Sequence, residues 1–138
     1  MWKVYALLSA VFAALTAIFA KIGVKGIDSN LATAIRTIVI LLLSWGIVFF
    51  SGKLSAIKDI GKTSWIFLVL SGLATGASWL FYFKALQVGD VSRVAPIDKL
   101  SIVFTLFFAA LLLKEPMSSK VLIGTLLILA GCLLIALK

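Results

Sequence analysis

The feature that most constrains this chain is the repetition of long, nearly unbroken apolar runs. Five can be counted: Val4–Ala20, Leu31–Ser51, Trp65–Leu86, Ile97–Leu113 and Val121–Leu137, each of 17 to 22 residues with short polar segments between them. A helix rises about 1.5 Å per residue, so runs of about 17 to 25 residues match the hydrocarbon layer of a bilayer. Soluble domains are roughly half apolar and about a quarter charged. Here 63% of the residues are hydrophobic and 13% are charged. The pattern predicts an all-α integral membrane protein with five transmembrane helices in one domain, residues 1–138, multi-pass in the plasma or inner membrane.

Several functions are excluded early. The formal charge is +8, but the cations are dispersed and no basic helix or aromatic-basic platform exists, so nucleic acid is not an expected partner. Lysines in loops beside lipid headgroups account for the charge. There is no histidine, and Cys132 is the only cysteine. A disulfide within the chain is therefore ruled out. Metal-ligand spacings are absent, no cofactor is expected, and nucleophilic catalysis lacks its usual base. The chain does not read as an enzyme.

The first run, behind Met1-Trp2-Lys3, is near the lower length limit for a span; a cleaved leader ending at Ala17-Ile18-Phe19-Ala20 is the competing reading. Ala10, Ala13, Ala17 and Ala20 form a small-residue stripe suited to helix packing. Lys21, Lys25 and Gly26 lead into Asp28-Ser29-Asn30, which has helix N-cap chemistry. In the second run Arg36 shares its side with Thr33, Thr37 and Ser44, which leaves snorkelling to the interface or an inward-facing charge as alternatives.

The third run contains Gly72-x-x-x-Gly76 among Ser71, Thr75 and Ser78, a weak pattern for close packing that also leaves room for a ligand. Trp79 and Tyr82 lie on or beside that face, as an interfacial belt or a cavity lining. The fourth run is expected to open at Pro96, in a first helical turn, with Asp98 and Lys99 at its mouth. Asp98, Ser101 and Thr105 would then share one face. Lys114-Glu115-Pro116 ends that run, and Ser118 or Ser119 starts the fifth.

Five spans put the termini on opposite sides. One face then holds Lys3, Lys53, Lys58, Lys62, Lys114 and Lys120; the other holds Lys21, Lys25, Lys84, Arg93 and Lys138, with Arg36 and Lys99 just inside it. Orientation follows the Lys and Arg bias between faces, and six against five or seven is almost none. The count fits insertion both ways up. Two antiparallel copies would supply ten helices around a central cavity, the pairing that inverted-repeat transporters use.

Several stretches resemble a known family: Phe83-Lys84-Ala85-Leu86-Gln87-Val88-Gly89, Val94 through Ser101, Leu113-Lys114-Glu115-Pro116, and Ile123-Gly124 through Ala130-Gly131. In order, they look like the EamA-type domain of the drug/metabolite transporter superfamily, and Arg36 resembles that family's frequent arginine. Lys114 stands where the family often has glycine. The resemblance implies a single-domain branch, half of an inverted-repeat ten-helix transporter completed by dimerisation with a second copy or a paralogous partner. The last helix also resembles the dimer-forming helix of the small multidrug resistance transporters, with Gly124 and Gly131 on one face. Unlike them, this chain has no acid in its first span.

The expected function is a secondary transporter of small polar or amphipathic metabolites, working by alternating access as an antiparallel dual-topology homodimer. Asp98, Lys99, Arg36, Lys21, Trp79, Tyr82, Ser101 and Thr75 are the candidate substrate or coupling residues, and Gly72, Gly76, Gly124 and Gly131 the candidate packing or dimer residues. The alternatives are a lipid-linked sugar flippase component and a non-transporting membrane assembly subunit.

Overall fold

The computed structural model describes residues 1–137, and Lys138 of the charge count lies outside them. The described residues are helical or in short connections, as the apolar pattern requires. Helices α1 (Trp2–Gly23), α2 (Ser29–Phe50), α3 (Lys62–Val88), α4 (Val91–Asp98), α5 (Ser101–Leu112) and α6 (Ser119–Ala136) follow one another, with a 3-10 segment at Leu54–Asp59 in the longest loop. Five segments are long and apolar enough to cross a membrane: α1, α2, α3, the stretch Val91–Leu112, and α6. Most helices run past the predicted limits into polar flanks. Nothing stops a helix at the edge of its apolar run until a cap or a turn does.

The fourth span departs most from expectation. Helix starts at Val91 rather than at Pro96, because Asp90 takes the N-cap position and its carbonyl accepts from the amides of Arg93 and Val94. Pro96 therefore lies inside α4 rather than in a first turn. There it removes a backbone donor from the ladder. The bonding then tightens: the amides of Lys99, Leu100, Ile102 and Val103 donate to the carbonyls three residues earlier, at 2.9–3.0 Å. This i→i+3 pattern separates α4 from α5 and shifts the register between Asp98 and Ser101. The expected common face of Asp98, Ser101 and Thr105 assumed one continuous helix, and the break removes that premise.

The chain divides into two compact units, residues 18–88 and residues 1–17 with 89–138. In the first, α2 packs along α3. Its tight core lies where the end of α1, the start of α2 and the end of α3 meet, with Val24, Ser29, Thr33, Phe83 and Leu86 buried and Leu86 at 0% exposure. The α1–α2 turn needs Gly26 in the left-handed region at φ +81°. Asp28 then caps α2, its carboxylate accepting from the amides of Asn30 and Leu31 at 2.9 and 3.1 Å. That is the cap expected from the sequence.

Two side chains pin α3 to this turn. Lys21 Nζ donates to the Leu86 carbonyl at 2.7 Å, and Gln87 Nε2 donates to the Ile27 carbonyl at 2.7 Å. The start of α2 and the end of α3 therefore lie at the same end of this unit.

In the second unit, α6 packs against α4 and, to a lesser extent, α5. Ser118 caps α6 by accepting from the Val121 amide at 3.3 Å, again as expected. Cys132 is buried. Lys114 adopts φ +54° after α5. There the Ala109 carbonyl accepts from the amides of Leu113 and Glu115, a left-handed helix ending that glycine normally supplies.

Among the described residues the buried apolar set is small: Ala17, Ala20, Val24, Ala32, Phe83, Leu86 and Cys132. Leu, Ile and Phe side chains along every span are exposed. A single chain with that surface is suited to lipid and to other helices rather than to water.

Candidate functional site

Charge inside an apolar span is the first thing a site must explain. A charged residue at a helix centre costs about 2.5–3.5 kcal/mol on insertion scales, so each such residue needs a partner or a task. Two constellations carry such charge, one in each unit.

The first belongs to α2 and α3. Arg36 is the eighth residue of α2, about 10 Å from its start. Its guanidinium carbon stands 4.0 Å from the centre of the Trp79 ring and 5.3 Å from that of Phe83. Trp79 and Phe83 are four residues apart on α3 and so share a face. Phe83 is 3% exposed and Trp79 is half-buried. A desolvated cation–π contact contributes about 2 kcal/mol, which offsets much of the insertion cost. Arg36 Nη1 is buried without a hydrogen-bond acceptor.

Hydroxyls near Arg36 in sequence do not serve it. Thr33 Oγ1 donates to the Ser29 carbonyl and Thr37 Oγ1 to the Thr33 carbonyl, both at 2.8 Å. Thr75 does the same with the Ser71 carbonyl at 2.8 Å. Back-bonding of this kind is how a hydroxyl is satisfied in a lipid-facing helix. Lys21, also a candidate, lies at the helix junction with its amine on the Leu86 carbonyl. Phe83 is the residue the sequence reading missed as a partner of Arg36. The signal was its i+4 spacing from Trp79, which two neighbouring aromatics, Phe81 and Tyr82, obscured.

The second constellation is the break between α4 and α5. Asp98 is the last residue of α4 and Lys99 the cap that follows it, with Nζ 3.5 Å from Oδ2. Both are substantially exposed, Lys99 at 52% and Asp98 at 37%. They are the eighth and ninth residues of the helical stretch Val91–Leu112, which begins upstream of the apolar run. Pairing is with each other rather than with Arg93 or Lys84; Lys84 Nζ instead donates to Gln87 Oε1 at 3.2 Å. Ser101 opens α5 and is exposed.

The glycines sit in open space. A Cβ built on Gly72, Gly76, Gly124 or Gly131 meets no atom within 4 Å. Within one chain no helix comes that near to these four positions. Among the described residues no group of three or more His, Cys, Asp or Glu is placed to hold a metal ion.

Comparison with known proteins gives the chain's family. The model of the EamA-like transporter family matches residues 1–137. A Sinorhizobium protein called "Uncharacterized transporter in cobO 3'region" is 53% identical over 135 residues, covering 98% of this chain and 96% of that protein. No solved structure matches the chain significantly. The resemblance itself is borne out: with five lipid-length helices and a match along nearly its whole length, the chain belongs to the EamA-like transporter family and is a multi-pass membrane transporter.

Proposed function

We propose that the protein is a secondary transporter of small polar or amphipathic metabolites in the plasma (inner) membrane, working by alternating access as an antiparallel, dual-topology homodimer. The observation that carries this reading is the broken fourth span, with Asp98 and Lys99 paired at the break. Ionisable residues at membrane depth mark ion and substrate pathways, and interrupted helices near the midplane form the sites of secondary transporters. Asp98 takes up a proton or holds a substrate amine, and Lys99 supplies the balancing charge when Asp98 is ionised.

Three features support the dimer. The Lys and Arg count is nearly equal on the two faces, five spans make half of a ten-helix architecture, and the glycine faces of α3 and α6 have open space over them. The single domain, residues 1–138, is then one of two inverted halves. The work is transport rather than catalysis. Asp98→Asn in proteoliposomes is expected to abolish the pH dependence of solute uptake; a pH profile identical to wild type would reduce Asp98 to a structural residue. A C-terminal reporter is expected on both sides of the membrane, and its confinement to one side would remove the antiparallel dimer.

A further inference from the structure

We infer that Arg36, held face-on by Trp79 and Phe83, is the receptor for an oxyanion of the transported solute, a carboxylate or a phosphate borne on an apolar body. The inference rests on the transporter reading and gives that reading a substrate class.

The guanidinium stays against α3 within the span. The start of α2 and the end of α3 are tied at one end by Lys21 and Gln87. An arginine reaching for that interface would lie toward the α3 terminus, over Phe83 or beyond. It lies instead nearer to Trp79, the deeper ring, at 4.0 Å against 5.3 Å. Trp79 is nine residues before Val88, about 13 Å from that end of α3. The charge therefore stands beside Trp79, about level with the Arg36 backbone, rather than out at the α3 terminus.

Among the described residues no acid neutralises it. Asp28 is engaged with the amides of Asn30 and Leu31, and Asp98 with Lys99. Among the described residues no carboxylate pairs with Arg36. The guanidinium stays protonated at any physiological pH. The rings offset only part of the cost of a permanent cation in an apolar span, and an anionic ligand would offset the rest.

The contacts also select the kind of counter-ion. Two rings from one face of α3 stand 4.0 and 5.3 Å from the guanidinium carbon, and Nη1 is buried, which restrains the planar group. Arg36 is otherwise half-exposed. The donors on its remaining edge form the fork that matches a carboxylate or phosphate bidentately. The same clamp holds the fork in its binding orientation before the ligand arrives, which lowers the entropic cost of binding. Trp79 and Tyr82, both half-buried, extend the aromatic wall beside it and suit the apolar part of an amphipathic anion.

The experiment measures thermal stability of the purified full chain with phenylacetate, its neutral amide phenylacetamide, phenethylamine and inorganic phosphate, and with phosphatidylglycerol against phosphatidylcholine vesicles. A ligand that binds only the folded form raises stability by mass action. Phenylacetate and phosphate are expected to stabilise the wild type, with the amide and the amine at least tenfold weaker. Arg36→Gln should lose that discrimination while remaining dimeric, and Arg36→Lys, which keeps the charge without the fork, should be about tenfold weaker. Trp79→Leu keeps Arg36 but frees its plane, and should weaken anion binding while leaving amide binding unchanged.

Equal shifts by phenylacetate and phenylacetamide, or an Arg36→Gln protein that still prefers the anion, would overturn the inference. So would stabilisation by phosphatidylglycerol vesicles alone, which assigns the cation to a lipid headgroup, or loss of the dimer in both Arg36→Gln and Arg36→Lys, which assigns it to a carboxylate of the second copy. Uptake of any solute by wild-type proteoliposomes keeps the transporter reading standing even where the anion preference fails. Absence of uptake for every solute class tested sinks the transporter reading itself.

Discussion

Lys21→Met tests the helix junction on which the α2–α3 geometry depends. Lys21 lies in the last turn of α1, and its amine donates to the Leu86 carbonyl at 2.7 Å. Leu86 is two residues before the end of α3, so its carbonyl is one of the last four that the helix cannot satisfy itself. Leu86 is at 0% exposure, and water is not there to replace the donor. Hydrogen bonds to a charged group contribute roughly 1.5–3 kcal/mol, and a cation at a helix C-terminus about 0.3–1 kcal/mol more. Partial exposure of Lys21 argues for the lower part of that range, about 2 kcal/mol.

At roughly 2–4 °C per kcal/mol for a chain of this size, the variant should melt about 4–8 °C below wild type in detergent. Lys25→Met is the control: Lys25 is exposed, and surface changes of that kind are usually within about 0.5 kcal/mol. Equal melting temperatures for the Lys21 and Lys25 variants would refute the reasoning. They would mean that the amine gains no more from the Leu86 carbonyl than from the headgroup region. Gln87→Leu removes the second tie, a neutral bond contributing about 0.5–1.5 kcal/mol. The double variant should then lose less than the sum of the two, because both bonds hold the same helix end.

Other substitutions follow from local geometry. Lys114→Gly should stabilise the protein by up to about 1 kcal/mol, since φ +54° costs a side-chain-bearing residue about 1–2 kcal/mol and glycine's extra freedom when unfolded returns part of it; a lower melting temperature would contradict this. Asp28→Ala should cost about 1 kcal/mol by removing the acceptor for two amides at the start of α2, with Asp28→Asn or Ser recovering most of it, measured by thermal or denaturant unfolding in detergent. Gly26→Val should cost about 1–2 kcal/mol at φ +81°, although no atom lies within 4 Å of its added Cβ; a neutral result would show that the α1–α2 turn can be remade.

Much of this protein is decided by its sequence alone. Five runs long enough for a bilayer, a 13% charged content and caps at Asp28 and Ser118 suffice to set the class, the number of spans and most of their starts. The reason is that lipid leaves the backbone no option but local hydrogen bonding, so apolar length translates directly into helix. Family membership was legible for a similar reason: the glycine, proline and charge positions that punctuate the runs are short-range features.

Tertiary structure decided what those punctuating residues do. Whether Arg36 turns outward or inward depends on which residues of α3 stand opposite it, and Trp79 and Phe83 are more than forty positions away in the chain. Lys21 reads as a candidate charge until the end of α3 is brought beside it. The break after Pro96 likewise depends on which carbonyls the amides of Lys99 and Leu100 reach, a choice the proline permits but does not dictate. Helix formation is local and legible in sequence; the pairing of a charge with its partner is not local, and only the packed structure determines it.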